Sequence, residues 1–597
     1  MNIWLTYLRQ GLSRRTSHDR IGGKEGYKGL WETLKILRPY VRRYRPVITA
    51  GVLLILLTSL LALPQPLVIR YIVDDVILKG QGHLLPGALL LLVGIMLGSK
   101  LARTLGEFSF AHLEGRITLD IQRDLVEHTL RLPKAFFDEH QTGYLMSRLS
   151  SDVEELRWFF SSTIVYVIGN VFRFLGGIVL LFYLEWRLAL AVILAVPGIL
   201  LCLKYFSKKV LLLSHHGMER EANVSMDLKE TLASASLVKS FASEAKAVGR
   251  LVTGLKEALH AAMERVAVGS VANLAVNSIP GVMSLVVLGL GAIWVIRGQW
   301  SLGSLLAFQA YTGYVFGPAQ ALATANLQMQ ECLAGLQRIS GLFDLVPEES
   351  LGRGKVVEGL KGAVEFRGVS FSYNGREALL KDVSFQVRPG EHIGVVGRSG
   401  AGKTTLLSLL LGLYRPTAGE ILFDGLPASE YDIGSLRRRI GYVSQDIRLL
   451  SGTIMENLLL GNPDATEEDL VQASQGAGIH QFILGLPRGY DTQVGENGLF
   501  LSQGQKQRLS VARALVRDPD ILILDEPTSS QDGKTEKSIV RRLPRFALER
   551  TMFLVTNRLD TLREMSLVFL LGEDGVLRTG THEALWESSE YYRSLLK

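Results

Sequence analysis

The sequence predicts two dissimilar parts in tandem, an all-α membrane bundle of six spanning helices followed by a soluble α/β domain. Three observations carry this. Six apolar stretches fall between Val47 and Ala323, each near the ~20 residues that a helix needs to cross a hydrocarbon core. After them, composition changes to alternating strand-like and helix-like patterns. Within that second part the run GRSGAGKTT, Gly397 to Thr405, stands between a buried-strand pattern, HIGVVG, and a helical one, TTLLSLLLGLY.

Length and composition agree with this division. A chain of 597 residues is too long for one core, and its 47% apolar content with positive mean hydropathy points to a membrane-embedded portion. The net charge of +7 is mild, and no stripe of basic and aromatic residues argues for nucleic acid as a partner. Cys202 and Cys332 lie far apart and form no metal-spaced pair.

The first 45 residues carry Arg9, Arg14, Arg15, Arg20, Arg42, Arg43 and Arg45 and lack a secretory-signal pattern. The N-terminus is therefore expected in the cytoplasm. Leu30 to Arg45 mixes Trp31, Leu34, Ile36 and Leu37 with basic residues, as either an interfacial or a solvated helix does. The six spans are expected at Val47 to Ile69, Leu84 to Leu101, Phe159 to Tyr183, Leu188 to Phe206, Val271 to Ile296 and Leu302 to Ala323. Long Arg- and Lys-rich segments separate the second from the third and the fourth from the fifth, while Trp186 to Arg187 and Arg297 to Ser301 are short connections. The positive-inside bias places the long segments in the cytoplasm, and an even number of spans returns the C-terminus there.

Pro64 and Pro66 interrupt the first span, Pro197 the fourth, and Pro280 and Pro318 the last two, so neighbouring helices must satisfy freed carbonyls. Arg173 stands inside the third span. Lipid exposure of that charge costs about 2.5 to 3.5 kcal/mol on insertion scales, so it should face the bundle interior, for substrate or for a neighbouring helix. The domains are expected at 1–45 (cytoplasmic segment), 46–345 (membrane domain), 346–362 (linker) and 363–597 (soluble domain).

The chemistry lies in the soluble part. The glycines of GRSGAGKTT leave backbone amides free to wrap a polyphosphate. Gly397, Arg398, Ser399, Gly400, Ala401, Gly402, Lys403, Thr404 and Thr405 are the expected nucleotide-binding residues, with Lys403 for the β- and γ-phosphates and the Thr404 hydroxyl for Mg²⁺. Far downstream, ILILDEP is an apolar strand ending in two carboxylates, Asp525 to hold Mg²⁺ and Glu526 to polarise an attacking water. Between them LSQGQ, with Ser502, Gly504 and Gln505, opens a helix whose N-terminus suits an anion.

These motifs, in this order, resemble an ABC transporter, specifically a lipid A or multidrug exporter-like half-transporter. The resemblance covers nearly everything from Leu30 onward. It implies a type I exporter membrane domain fused to a P-loop NTPase, with ATP and Mg²⁺ as cofactors. By the same resemblance Tyr373 in FSYNG stacks on adenine, Gln445 in YVSQD reaches Mg²⁺ and the attacking water, and Asp532 belongs to the nucleotide site. TQVGENG, with Glu496, touches the coupling helices, which resemble Arg131 to Val153 and Ser234 to Glu244. Nucleotide domains of this family pair head to tail, giving LSQGQ a ligand on a second half-transporter.

Three positions depart from the family pattern. Gln503 replaces a glycine of the signature LSGGQ, and SSQD, Ser529 to Asp532, replaces SALD. Asn557, in VTNRLDT, occupies the place of the switch histidine, among the expected catalytic residues with Glu526 and Gln445. Asparagine donates one hydrogen bond but shuttles no proton. The implied function is ATP-driven export of a hydrophobic or amphipathic substrate across the cell membrane, a bacterial inner membrane by its compact form. The alternative is a slowly hydrolysing half of a heterodimer. Homodimer and heterodimer both remain open.

Overall fold

The structure, a computed structural model, describes residues 2–13, 30–140, 142–158, 164–348, 351–373, 377–495, 498–526 and 550–596. It divides into two units, Met1–Glu127 with Thr142–Asp344 and His128–Gln141 with Leu345–Lys597.

The first unit is helical. Among the described residues four stretches are long and apolar enough to cross a membrane: Arg45–Ile77, Gly82–Leu130, Tyr166–Ala233 and Glu244–Ile296. The third carries two of the apolar stretches, because Glu185 leaves helical geometry (φ −164°, ψ 103°) and joins two helices there. The sixth stretch is the helix Leu302–Phe343, which is less apolar because Gln309, Tyr311, Thr312 and Tyr314 interrupt it.

Those polar residues serve the first span. Its helix stops at Ala62 and restarts at Gln65 around Pro64 and Pro66. Pro66 has no N–H for the carbonyl of Ala62, and the Tyr314 hydroxyl donates to that carbonyl at 3.2 Å. Tyr311, fully buried, donates to the carbonyl of Leu63 at 2.5 Å. The need for neighbouring helices to satisfy freed carbonyls is met here. Pro197, Pro280 and Pro318 lie within continuous helical assignments.

Beyond Tyr71 the first span continues as a π-turn, Ile72–Ile77. Its Asp74 accepts from the Ser301 hydroxyl at 2.5 Å and from the Gly303 amide at 2.7 Å. A carboxylate thus meets the N-terminus of the sixth span, where free amides and the helix dipole favour negative charge. Among the charged helical segments beyond the spans, Asp152 accepts from Arg148 at 2.9 Å and from Arg338 at 2.6 Å. The N-terminal helix Leu30–Arg43 is tied to the extension of the second span by Tyr40 on Asp124 (2.7 Å) and Arg43 on Asp120 (3.1 Å).

The second unit is built on two sheets. Strands β1 (Val364–Phe371), β2 (Leu380–Val387), β4 (Ala418–Phe423) and β5 (Leu426–Pro427) form an antiparallel sheet in the order β2-β1-β4-β5. The second sheet contains β3 (His392–Gly397), β6 (Ile440–Val443), β7 (Ile521–Asp525), β8 (Thr551–Val555), β9 (Leu567–Leu571) and β10 (Leu577–Gly580). Its order is β10-β9-β3-β8-β7-β6, parallel except for β10. Strands β7 and β8 are buried at every position, as expected of a parallel sheet covered on both faces. Val364, Phe366, Phe385, Ile393, Leu406, Phe553 and Phe569 are among the core between the sheets and the first helix.

Candidate functional site

Ligands of open α/β sheets gather outside the carboxyl ends of the parallel strands, and several of the expected site residues lie there. Along the edge β3-β8-β7-β6, Gly397 ends β3, Asn557 lies two residues past β8, Asp525 ends β7, and Gln445 lies two residues past β6. Four motifs spread over some 160 residues of sequence become neighbours through strand order alone.

The loop after β3 turns back through two left-handed glycines, Gly400 (φ 86°) and Gly402 (φ 99°), a conformation that residues with a Cβ rarely adopt. This delivers Lys403 to the first turn of the helix Lys403–Leu410. Its Nζ folds back onto its own loop, donating to the carbonyls of Gly397 (2.7 Å) and Arg398 (3.0 Å). Arg398, Ser399, Gly400 and Ala401 line a depression of about 440 Å³ with Leu379 and Glu573. The Arg398 guanidinium pairs with Glu573 across it.

Thr404 Oγ1 donates to Asp525 Oδ2 at 3.1 Å. Burial pushes the Asp525 carboxyl above the usual range and Glu526 adds to the shift, against the Thr404 bond and the charge of Lys403. Burial also lowers the Lys403 ammonium, against the pull of Glu526 and Asp525. In both groups desolvation outweighs the attraction between the opposite charges.

Glu526 takes a left-handed backbone conformation, φ 47°. Its amide donates to the Val555 carbonyl at 3.2 Å, and its carboxylate accepts from Gln445 Nε2 at 3.2 Å. Gln507, which the sequence did not single out, donates through Nε2 to the Glu526 carbonyl at 3.2 Å. Asn557 is exposed at this same edge.

Tyr373 leaves 37% of its surface exposed, and its hydroxyl shares a 3.0 Å hydrogen bond with Thr405 Oγ1. Its ring stands edge-on to Phe371 and Tyr414 at centroid distances of 4.8 and 5.3 Å. Tyr414, also unmarked in the sequence, donates to Asp138 on the short helix Lys134–Glu139, part of the first expected coupling region. The LSQGQ run opens the helix Gln503–Val516 through a capping box. Ser502 Oγ accepts from the Gln505 amide at 3.3 Å, and Gln505 Oε1 accepts from the Ser502 amide at 2.8 Å. Gly504 falls in that first turn. Asp532, Gln531 and Glu496 lie outside the described residues.

A second cavity, of about 450 Å³, lies in the membrane unit between the first three spans. Arg173, Asn170 and Tyr166 line it with Ser59 and with Arg103, whose Nε pairs with Glu107 at 2.7 Å. Among the described residues Arg173 Nε and Ser59 Oγ are buried without a hydrogen-bond partner. The interior placement expected of Arg173 is met, and the neighbouring-helix bond is not formed by Nε.

Comparison with known proteins bears on both units. Residues 48–319 match the ABC transporter transmembrane region and residues 380–529 the ABC transporter family. The chain is 30% identical over 563 residues to the ATP-dependent lipid A-core flippase of Syntrophus aciditrophicus, covering 94% of this chain and 93% of that protein. It is 33% identical over 577 residues to a Staphylococcus aureus protein named for multidrug export, covering 94% and 98%. Its fold superposes on a bacterial Atm1-family ABC exporter solved with ATP bound, with a TM-score of 0.80 and 26% identity, covering 92% and 98%. With a helical membrane domain fused to an ATP-hydrolysing α/β domain, the chain belongs to the ABC transporter family as a multi-pass exporter.

Proposed function

We propose that the protein is one half of a dimeric exporter of the cell membrane, with both termini in the cytoplasm, that moves an acidic amphipathic molecule at the expense of ATP. The observation that carries the reading is the meeting of Lys403, Asp525, Glu526 and Gln445 at one sheet edge, in a chain whose other unit holds a cavity among membrane helices. Lys403 leaves its own loop carbonyls for the β- and γ-phosphates, while the loop amides and the helix N-terminus wrap the rest of the triphosphate. Tyr373 stacks on the adenine. Thr404 and Asp525 are hard oxygen donors already 3.1 Å apart, which suits Mg²⁺ with waters in its shell. Gln445 completes that set.

Held by Thr404, Asp525 and Gln445, Mg²⁺ would supply counter-charge to the transferring phosphoryl group. Glu526, turned by its backbone toward Gln445, takes a hydrogen bond from the attacking water and polarises it. Ser502, Gly504 and Gln505 present a helix N-terminus to the γ-phosphate held by the second half, and Asp532 joins the site. ATP favours the closed pair because it contacts both halves only there. That preference is the free energy available to turn the membrane bundle.

The cavity beside Arg173 supports the substrate class. Its wall is mostly apolar side chain and backbone, while Arg173 Nε and Ser59 Oγ are desolvated without partners. An acidic headgroup with acyl or aryl flanks satisfies both features. The second reading, a slowly hydrolysing regulatory half, is favoured by Asn557 alone.

The test is transport and ATP turnover in liposomes containing an acidic lipid. Lys403→Ala is expected to abolish both, and Arg173→Gln to abolish substrate-stimulated turnover while leaving basal turnover within threefold. Undiminished transport by Lys403→Ala removes the exporter reading.

A further inference from the structure

We propose that Gln507 is a positioning residue for ATP hydrolysis, gripping the Glu526 backbone so that the carboxylate stays aimed at the attacking water. The inference rests on the hydrolytic role given to Glu526 above.

Gln507 sits in the helix Gln503–Val516, five residues past the Ser502 cap, and is only 3% exposed. Buried amide side chains are kept where they are hydrogen-bonded, and Nε2 of this one donates to the Glu526 carbonyl at 3.2 Å. The recipient is unusual. Glu526 is a non-glycine residue at φ 47°, a conformation that persists only where the surroundings over-determine it. Among the described residues three bonds help to do so: the amide on the Val555 carbonyl, the carboxylate under Gln445, and the carbonyl under Gln507.

These bonds are not equivalent. The Val555 bond continues the β7–β8 ladder and fixes where the strand ends. The Gln445 bond comes from an exposed loop residue, so water competes for it. Gln507 grips the far side of the same residue from a buried position, restraining rotation of the peptide that follows Glu526. Without that grip the left-handed backbone is free to relax toward negative φ, and the carboxylate swings off its line.

Asp525, one residue earlier, stays in sheet register with Val555. The nucleotide and metal groups are therefore untouched, and the expected defect lies in turnover and not in binding. The same bond ties the helix that carries Ser502 to the strand end that carries Glu526. A shift of that helix on meeting the partner's nucleotide therefore reaches this chain's own water-polarising group.

The experiment measures ATP turnover of the full-length protein in lipid vesicles for Gln507→Ala and for the near-isosteric Gln507→Glu, which offers the carbonyl an acceptor in place of a donor. Both are expected to lose at least tenfold in kcat with KM for ATP within threefold of the parent. A preserved KM also reports a folded nucleotide site. Combined with Glu526→Gln, Gln507→Ala is expected to add less than twofold, since it acts through the group already removed. Three results overturn the proposal: kcat within twofold of the parent in both variants, KM rising in step with the loss of kcat, or multiplicative loss in the double variant. Undiminished turnover of Glu526→Gln itself removes the hydrolytic reading and this inference with it. A dead Glu526→Gln beside normal Gln507 variants overturns the positioning role alone.

Discussion

Asn557 stands two residues beyond β8, between the strand that leads to Lys403 and the strand that leads to Glu526. Its amide can reach a γ-phosphate as a donor, but no ring nitrogen is available to share the proton that leaves the attacking water. A donor to a developing charge is worth about 2.7 to 4 kcal/mol, a hundredfold or more in rate. Restoring the ring should recover part of that. Asn557→His is expected to raise ATP turnover at least tenfold with KM little changed, read by phosphate release in vesicles at pH 7. An equal rate shows that Glu526 suffices. At this scale the glycine loop, Asp525 and Glu526 were legible because each motif ends or follows a buried strand pattern, while Gln445 came from the family resemblance alone. Gln507 and Tyr414 were not. A buried glutamine in mid-helix and a tyrosine after a helix carry no periodic or spacing signal, and their partners lie 19 and 276 residues away.

Each proline in a membrane helix leaves a carbonyl without its usual N–H, and lipid offers no replacement. The first span resolves this at Pro66 through the Tyr314 hydroxyl on the Ala62 carbonyl, while the Tyr311 hydroxyl takes the neighbouring Leu63 carbonyl at the break. Interhelical hydrogen bonds in membranes average about 0.6 kcal/mol and reach about 1.7. Tyr311→Phe, at the fully buried position, is expected toward the upper end and Tyr314→Phe near the mean, measured as loss of unfolding free energy in detergent. Removing Tyr311 without loss of stability would show that water or local backbone adjustment serves that carbonyl. The apolar runs made the spans readable, and the prolines announced the break. The break at Glu185 falls beside the short connection expected at Trp186 to Arg187, whereas the sequence did not announce the π-turn after Tyr71. Nor did it mark Asp74 as a helix cap, since its partners Ser301 and Gly303 are more than 220 residues away.

At the scale of the molecule, one chain carries one phosphate loop and one capped LSQGQ helix. A helix N-terminus prepared for an anion becomes complete when a second copy or a related half supplies the triphosphate. Particles in lipid nanodiscs are therefore expected to contain about twice the 65.9 kDa of a single chain, read as protein mass by light scattering. A stable, transport-competent particle of one chain would contradict this. The division into a membrane part and an α/β part was evident from composition.

The clasp of Asp74 on Ser301 and Gly303 constrains any transport cycle of this bundle. The far end of the first span is buckled to the start of the sixth by an ionisable tongue set against a hydroxyl and a backbone amide. A release route for cargo must either swing both tips as one rigid flap or unfasten the buckle and rehydrate a carboxylate at every stroke.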